Sequence, residues 1–329
     1  MNKKPIVSVI MATYNTDEVY LKESINSILN QSLTALELIV VCDGSEDDYK
    51  IIKEISDKRI VIIQHEKNLG LAHSLNDAIR IAKGKYIARM DSDDISIPTR
   101  LEMQVNFMEN NPIIDVCSMY ASSFGNDTRK IVNFFTKHEY IAIQNLYYSA
   151  IIHPTVLFRK TVFADGEFLY DINFKTSQDF DLWSRMINRK KIQIIPEIGL
   201  KYRSHDNQIS LKKRETQVAA CELIFKRNAK KYFPEIEMDA YRCFRYLNGL
   251  DQVDYKNITE FSQLIDKLVA YNKSFESRKF KNVLYNRFLI FVIKNKIGFS
   301  KYFKKEFFKK IFNSCNFRYV FFYLTKGKY

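Results

Sequence analysis

The chain of 329 residues is long enough for two domains, or for one large domain with a smaller addition. With 46% hydrophobic residues, 27% charged residues, 9 glycines and 6 prolines, the composition excludes a disordered, collagen-like or low-complexity protein. Apolar runs such as Leu289–Ile293 fall far short of the roughly 20 residues that a membrane-spanning helix needs. The apolar stretch Ile6–Ala12 is too short for a signal peptide, so we expect the protein to stay in the cytoplasm.

Positive charge is concentrated near the C-terminus. The chain holds 51 Lys and Arg against 38 Asp and Glu, a formal net charge of +13. Residues 273–329 contain 15 of the basic residues, 2 of the acidic residues and 17 aromatic residues, whereas residues 1–272 hold 36 residues of each sign. A basic, aromatic-rich segment on a neutral body predicts an anionic partner, either membrane lipid or nucleic acid. The five cysteines are odd in number and form no C-x-x-C pair, which predicts reduced, mostly buried thiols.

Strand-like and helix-like segments alternate over the first 120 residues. The five predicted strands are short apolar runs: Ile6–Ala12, Leu38–Val41, Ile60–Ile63, Lys85–Met90 and Val116–Tyr120. Helices are predicted between them, including Leu71–Ala82 and a helix that has Pro98 in its first turn and runs through Asn110. This alternation predicts a doubly wound, parallel α/β sheet.

The pattern is less regular over residues 121–213 and then becomes helical. The irregular part contains Ile152–Phe158, a helix that begins near Asp179, and two short strands at Lys191–Ile195 and Leu200–Tyr202. Later helices are predicted over 214–231, 237–250, 259–272, 282–293 and 301–312. We therefore predict a first domain over 1–213, with halves at 1–120 and 121–213, and a helical, basic and aromatic region over 214–329.

Polar clusters follow three of the predicted strands: Thr13-Tyr14-Asn15, Cys42-Asp43-Gly44-Ser45 and Asp91-Ser92-Asp93-Asp94. Ligands bind beyond the carboxyl ends of the strands in such sheets, so the three clusters should share one edge. The first strand is not followed by a G-x-G-x-x-G fingerprint, and the sequence has no P-loop.

Asp91 and Asp93 are the most informative pair in these clusters. Residues two apart in an extended chain point the same way, roughly 6.6 Å apart along the strand. Two such carboxylates suit Mg²⁺ or Mn²⁺, which binds one or two carboxylates together with substrate phosphates. The same acids would also suit an ordinary loop before a helix, but their position in line with Asp43 favours a functional site.

Several motifs together resemble the family 2 glycosyltransferases of the GT-A fold. They are Ser8–Asn15 (S-V-I-M-A-T-Y-N), Ser24–Gln31, Asp43-Gly44-Ser45, Asn68–Leu71, Ala88–Ser96 (A-R-M-D-S-D-D-I-S) with Pro98 and Arg100, His153-Pro154-Thr155, Gln178–Trp183 (Q-D-F-D-L-W) and Tyr202–His205 (Y-R-S-H). Their order over about residues 5–210 is specific, whereas the segment from about residue 214 is not covered. The resemblance implies a Rossmann-like, mostly parallel sheet with helices on both faces, followed by the helical C-terminal region.

The resemblance implies that residues 1–120 bind a nucleotide sugar and that residues 121–213 supply the acceptor side and the catalytic base. Tyr14 would lie against the nucleotide base, Asp43 would read uracil, and Asp91 would sit near the ribose. The further candidates for nucleotide-sugar binding are Thr13, Asn15, Asn68, Arg89 and Ser92.

The same resemblance implies a metal site and a general base. Asp93 would ligate Mn²⁺ or Mg²⁺ on the diphosphate, His205 would contact the metal or the diphosphate, and Asp179 would be the base. The sequence departs from the family pattern at Cys42, where the family often has Asp, and at Gln178, where it often has Glu. The first departure predicts weaker contacts to the nucleotide base.

Other interpretations of these residues stay open. Asp179 would also suit the N-cap of a helix, and Asp181 is either a rival base or a group that supports the site. Trp183 belongs to the core or borders the acceptor pocket with one edge. His153 is a structural or acceptor-side residue, and His205 alone would be an ordinary polar histidine.

These residue types suit the inverting transfer of a hexose or N-acetylhexosamine from a UDP-sugar to a glycan hydroxyl. One carboxylate takes the proton of the attacking hydroxyl, the metal neutralises the leaving diphosphate, and charge develops at an oxocarbenium-like centre. A sugar nucleotidyltransferase is an alternative, but Thr13–Glu18 lacks the Gly-rich and basic loop of that class. A non-catalytic nucleotide-sugar binder is a second alternative, against which the intact Asp91, Asp93 and Asp179 argue.

The basic C-terminal segment predicts where in the cell the protein acts. In Lys301–Phe312, three apolar residues share one helix face and three lysines share another, which suits a helix at an anionic membrane surface. Alternatively, the aromatic residues pack a helical domain or a homodimer interface. No base-reading motif accompanies the charge, so nucleic acid is not an expected partner. We expect a peripheral enzyme on the inner face of the cell membrane that extends a lipid-linked precursor of a bacterial cell-surface polysaccharide.

Overall fold

The computed structural model describes residues 4–206, 213–252 and 257–294. The chain divides into two compact units. Unit 1 comprises residues 1–133 and 151–213, and unit 2 comprises residues 134–150 and 214–329. Residues 134–150, which the sequence analysis placed in the first domain, therefore cluster with the C-terminal helices.

Unit 1 is built on one nine-stranded sheet. Its strands are β1 (Val7–Thr13), β2 (Leu36–Asp43), β3 (Ile60–His65), β4 (Tyr86–Asp91), β5 (Ile95–Ser96), β6 (Val116–Gly125), β7 (Lys130–Ile131), β8 (Leu157–Arg159) and β9 (Ile192–Ser204). Its helices are α1 (Glu18–Leu29), α2 (Glu46–Lys53), α3 (Leu71–Ile81), α4 (Arg100–Asn110) and α6 (Gln178–Met186). A 3₁₀ turn at His153–Thr155 precedes β8.

The sheet is mostly parallel, as the sequence predicted. The strand order is β3-β2-β1-β4-β8-β6-β9-β5, with β7 paired to β6. The pairs β3–β2, β2–β1, β1–β4 and β6–β9 are parallel, whereas β8 runs antiparallel to both of its neighbours and β5 runs antiparallel to β9. The register pairs Thr13 with Cys42 and Ala12 with Asp91. The three predicted polar clusters therefore do lie at one edge of the sheet.

Helices cover both faces of the sheet because its strands are buried on both sides. Val7, Val9 and Met11 of β1 join one apolar cluster with residues of α1, α2 and α4. The alternate residue Ile10 is also fully buried but lies outside that cluster. Helix α3 packs on β1 and β2 with Leu75 and other buried residues that are likewise outside it. This arrangement confirms the predicted fold class.

Two local predictions were wrong. The two short strands predicted after Lys190 are the single strand β9, which pairs with β6 across register shifts on both sides of Tyr120. The shifts leave Pro196 and Glu197 outside the paired register, and a bulge accommodates a proline that has no N–H to donate. Pro98 precedes α4 rather than lying in its first turn, since Thr99 is the N-cap. The run Ile152–Phe158, for which no element was predicted, ends with Leu157 and Phe158 in β8.

Unit 2 is helical. It contains α5 (His138–Gln144), α7 (Arg214–Tyr232), α8 (Glu237–Asn248), α9 (Ile258–Tyr271) and α10 (Ser277–Lys294). Asn228 of α7 donates to the carbonyl oxygens of Asn145 (3.2 Å) and Leu146 (3.1 Å), and Asn248 of α8 donates to that of Tyr147 (2.7 Å). These bonds explain why residues 134–150 belong with the later helices. The predicted helix 301–312 lies outside the described residues.

The aromatic residues of α10 serve the core of unit 2. Phe280, Tyr285 and Phe288 are fully buried, and the ring of Phe288 lies 5.0 Å from that of Phe261 on α9. For this first part of the basic segment, the packing alternative of the sequence analysis therefore holds. Within the described residues, no helix combines the length and the apolar character needed to cross a membrane.

Candidate active site

Three carboxylates gather where β4 ends. Asp91 is the last residue of β4, and Asp93 and Asp94 follow in the turn to β5. One oxygen of each carboxylate lies within 4.8 Å of the others. Asp94 is fully buried, and its Oδ2 atom has no hydrogen-bond partner among the described residues. An orphaned carboxylate oxygen beside two further carboxylates fits a hard divalent cation, which prefers oxygen ligands.

Proximity and burial act on the charges of this cluster. Burial raises the pKa of Asp91, the charge of Arg89 opposes that rise, and the charges of Asp93 and Asp179 add to it. Burial, together with the charges of Asp91 and Asp93, raises the pKa of Asp94 well above its ordinary value. A cation at this edge would relieve the repulsion among the carboxylates. Asp94 was not among the predicted site residues, because no local motif reveals its burial.

Arg89 of β4 is a buried cation beside this cluster. Its Nη2 atom forms an ion pair with Asp91 Oδ1, and only 3% of the residue is exposed. Its Nε and Nη1 atoms have no partner among the residues that the structure describes. The strand beneath it is held by Arg100, whose Nη2 donates to the Arg89 carbonyl oxygen at 2.8 Å. Burial lowers the pKa of Arg100 to about 10.

A chain of hydroxyl groups joins the ends of β1 and β4. Thr13 Oγ1 donates to the buried Asp48 Oδ2 at 2.6 Å and lies 2.9 Å from Thr16 Oγ1. Thr16 Oγ1 in turn lies 2.9 Å from Ser92 Oγ. Thr13 and Ser92, both predicted to bind the nucleotide sugar, thus fix the loop after β1 against the turn after β4. Asp48 was not among the predicted site residues.

Tyr14 and Asn15 project from the same edge. Tyr14 is 52% exposed, so it lies outside the core and its ring is accessible to a planar base. Asn15 is exposed and adopts a left-handed backbone conformation with φ of 52°, which asparagine tolerates better than most residues. Contact of either side chain with a nucleotide stays a prediction.

Asp43 holds the loop that contains Asn68. Its Oδ1 accepts from the backbone N–H of Leu69 and its Oδ2 from that of Gly70, both at 2.8 Å. His65 Nδ1 lies 2.8 Å from Oδ1. Gly44 permits this approach, because a Cβ there would lie 2.4 Å from the Asn68 nitrogen. The role of Asp43 in reading uracil stays a prediction, as does that of the exposed Asn68.

Helix α6 presents two aspartates in different environments. Asp179 is partly exposed, and its charge raises the pKa of both Asp91 and Tyr170. Asp181 is fully buried and accepts from Arg185 Nε at 2.8 Å. Arg185 also donates to the carbonyl oxygens of Glu167 and Leu169, so Asp181 belongs to a structural network. Of the two, only Asp179 is exposed for proton transfer.

Aromatic packing beneath α6 accounts for two further residues. Trp183 is fully buried, and its ring stacks on Phe158 at 5.8 Å. His153 Nε2 lies 2.7 Å from the Tyr170 hydroxyl, and burial together with the charge of Arg89 lowers the pKa of His153 well below its ordinary value. The N–H and carbonyl oxygen of Tyr170 both bond to the Asn76 side chain. Trp183 and His153 are therefore buried structural residues here.

The end of β9 brings His205 to the acidic cluster. His205 Nε2 lies 2.9 Å from Asp93 Oδ2, and the side chain remains 19% exposed. Arg203, two residues earlier, donates from its backbone N–H to Asp94 Oδ1 at 2.8 Å and from Nε to the Asp93 carbonyl oxygen at 2.7 Å. Arg203 belongs to the Y-R-S-H motif, which by itself predicted no role for it.

Residues 8–166 match the sequence profile described as "Glycosyl transferase family 2". An uncharacterized glycosyltransferase of Methanocaldococcus jannaschii is 39% identical over 241 residues, which cover 70% of this chain and 82% of the relative. The Escherichia coli protein WfgD, described as UDP-Glc:alpha-D-GlcNAc-diphosphoundecaprenol beta-1,3-glucosyltransferase, is 32% identical over 63% of this chain and 81% of its own length.

A solved structure shares the fold over nearly the whole chain. It is the crystal structure of S. aureus TarS 1-349 in complex with UDP-GlcNAc, with a TM-score of 0.60 and 16% sequence identity. The match covers 98% of this chain and 93% of that one. At 16% identity the structural similarity supports the fold alone, whereas the sequence relatives support membership of the family. The chain belongs to glycosyltransferase family 2 and has the GT-A fold.

Proposed function

We propose that this enzyme transfers a hexose or N-acetylhexosamine from a UDP-sugar to a hydroxyl of a glycan acceptor, with inversion at the anomeric carbon. The observation that carries the proposal is the meeting of Asp91, Asp93 and His205 at one sheet edge, within electrostatic reach of the partly exposed Asp179. The donor class is supported by the UDP-Glc named for WfgD and by the UDP-GlcNAc bound to TarS.

Asp91 and Asp93, with His205, would hold Mn²⁺ or Mg²⁺, which would neutralise the diphosphate as it leaves. Arg89 keeps a positive charge beside Asp91 and so favours its ionised form as a ligand. Asp179 takes the proton of the acceptor hydroxyl as that oxygen attacks the anomeric carbon. Because the hydroxyl attacks opposite the diphosphate and no covalent intermediate forms, the product has inverted configuration.

We propose a lipid-linked glycan as the acceptor and an anionic membrane surface as the place of reaction. The diphosphoundecaprenol-linked acceptor named for WfgD supports the first part. The second part rests on residues 295–329, which carry 9 of the basic residues and 1 acidic residue. The described aromatic residues of α10 are committed to packing, so lipid contact falls to the segment beyond it.

The test is release of UDP and formation of glycoside from a panel of UDP-sugars and prenyl-diphosphate-linked sugars. We expect turnover with one donor in the presence of Mn²⁺ or Mg²⁺ and a product whose anomeric configuration, read by NMR, is opposite to that of the donor. A retained configuration, or turnover that EDTA leaves unchanged, would contradict the proposed chemistry. Co-sedimentation with anionic and neutral vesicles tests the location, with a variant carrying Lys301, Lys305 and Lys309 changed to Gln as the comparison.

A further inference from the structure

The turn that carries Asp93 and Asp94 lies between two strands and outside their ladders. β4 ends at Asp91, and the two-residue strand β5 begins at Ile95. Main-chain pairing therefore does not set the position of this turn. Ligand atoms of a metal site must be held to within fractions of an ångström, and outer residues usually supply that restraint.

Arg203 of β9 supplies such a restraint from two directions. Its Nε donates to the Asp93 carbonyl oxygen at 2.7 Å, and its backbone N–H donates to Asp94 Oδ1 at 2.8 Å. Both bonds come from one residue, so they fix the carbonyl of Asp93 and the carboxylate of Asp94 to the same point on β9. His205 lies two residues further on, and its Nε2 atom is 2.9 Å from Asp93 Oδ2.

The guanidinium of Arg203 is itself immobilised. It lies over the ring of Tyr20 on α1 at 4.1 Å and over the ring of Phe124 on β6 at 4.5 Å. Its Nη2 atom forms an ion pair with Glu23 of α1. A planar cation between two aromatic rings is stabilised by both, and only 10% of this side chain is exposed. The backbone N–H, Nε and Nη2 of Arg203 thus all contact protein groups.

We propose that Arg203 is a positioning residue for the divalent cation and that it acts through Asp93 and Asp94. It fixes the turn so that Asp93 and His205 converge, and metal affinity depends on it more than the transfer step does. The inference rests on the proposed function, since it presupposes a cation at Asp91 and Asp93.

The test is Arg203→Lys in the full chain. Lysine keeps the charge but lacks the planar fork, so it cannot bond the Asp93 carbonyl and Glu23 together while stacked between the rings. With Mn²⁺ titrated in the presence of UDP and free Mn²⁺ read by electron paramagnetic resonance, we expect about 10-fold weaker binding, the low end for loss of an outer residue. The Mn²⁺ concentration for half-maximal activity should rise equally, while kcat recovers at saturating Mn²⁺.

Arg159→Lys is the matched control. Arg159 of β8 also lies near a tyrosine ring, that of Tyr86 at 5.7 Å. Its donors also bind carbonyl oxygens, those of Ile114, Met108 and Asn111. None of these contacts involves the acidic turn. Arg159→Lys should therefore lose thermal stability but keep the Mn²⁺ affinity of the unaltered chain. Equal Mn²⁺ affinities in the unaltered chain and Arg203→Lys would overturn the proposal.

A milder variant covers the case in which Arg203→Lys does not fold. Glu23 is 47% exposed, and Glu23→Gln removes only the outer ion pair of Arg203. We expect roughly two- to fivefold weaker Mn²⁺ binding, in line with one partly exposed ion pair. An unchanged affinity in that variant would count against the positioning role. If the unaltered chain binds no Mn²⁺ even with UDP, the metal site of the proposed function fails instead.

Discussion

The two compact units bury polar groups of different kinds. Among the described residues, the buried charged side chains all lie in unit 1: Glu37, Asp43, Asp48, Arg89, Asp94, Arg100, Asp181 and Arg203. Unit 2 buries only neutral polar residues over its described part: Gln144, Asn145, Asn228, Ser262 and Asn286. Burying a charge costs several kcal/mol unless it is paired. Asp43, Arg89 and Asp94 lie at the sheet edge that carries the candidate site, whereas Asp181 belongs to a structural network.

The buried polar atoms without a partner differ in charge: within the described residues, those of charged side chains lie in unit 1, whereas the one in unit 2 is the neutral Asn145 Nδ2. At the sheet edge of unit 1, two nitrogens of Arg89 and one oxygen of Asp94 have no partner within the described part of the chain. In unit 2, Arg245 binds both Asp251 and Glu222, and Asn228 binds two carbonyl oxygens. The sheet edge thus leaves polar atoms available for a ligand, whereas the cited polar groups of unit 2 serve its packing.

The largest effect should come from removing the carboxylate of Asp93. Asp93→Asn should lower transfer by roughly 10³-fold and abolish the Mn²⁺-dependent part of UDP binding, because a metal ion supplies several kcal/mol of charge stabilisation. Isothermal titration of UDP with and without Mn²⁺ measures the second quantity. Asp47→Asn, at a highly exposed site on α2, is the matched control. If the unaltered chain binds UDP equally with and without Mn²⁺, the metal assignment is wrong.

Phe288→Ala should destabilise unit 2 and leave metal binding at the candidate active site unchanged. Phe288 is fully buried in α10, and truncating such a residue costs about 3–5 kcal/mol of stability. Thermal unfolding should show that loss, while the Mn²⁺ affinity of the protein that stays folded remains unchanged. If the variant keeps normal stability but binds Mn²⁺ more weakly, the assignment of packing to unit 2 and of metal binding to unit 1 is wrong.

Asp179→Asn should lower kcat by at least ~10²-fold, the low end for loss of a positioned base, and leave the affinity for the UDP-sugar nearly intact. Steady-state kinetics and donor binding separate the two quantities. Asp181→Asn should instead destabilise the fold, since it removes the buried negative charge that pairs with Arg185. If Asp181→Asn stays folded and lowers kcat more than Asp179→Asn does, the base has been assigned to the wrong aspartate.

The sequence predicted most of the sheet because its strands are buried on both faces and therefore appear as continuous apolar runs ended by polar residues. Leu36–Asp43 shows this well, since every residue in it is buried. The meeting of Thr13, Asp43 and Asp91 at one edge follows from the parallel arrangement alone. That part of the candidate site was therefore accessible from local pattern.

The parts that the sequence did not predict depend on contacts between distant residues. Arg203 bonds Asp93, 110 positions earlier, and no local pattern marks that pairing. Asp48 lies in an acidic run, a pattern typical of an exposed surface, yet the fold buries it against Thr13. The continuity of β9 was hidden because Pro196 resembles a strand break, and a bulge within β9 accommodates it opposite β6.

The smallest effect expected is a pH dependence of stability from His153. Burial lowers its pKa in the folded state, so below about pH 6.5 the unfolded chain binds a proton that the folded chain does not. Stability should therefore fall as the pH falls, by up to about 2 kcal/mol between pH 6.5 and pH 5 for one such group. His153→Gln keeps a polar group opposite the Tyr170 hydroxyl and cannot take up that proton. Urea unfolding at pH 7, 6 and 5 should show a shallower loss in the variant, and because the carboxylates titrate alike in both proteins, parallel pH curves would mean that His153 is not held neutral by the fold.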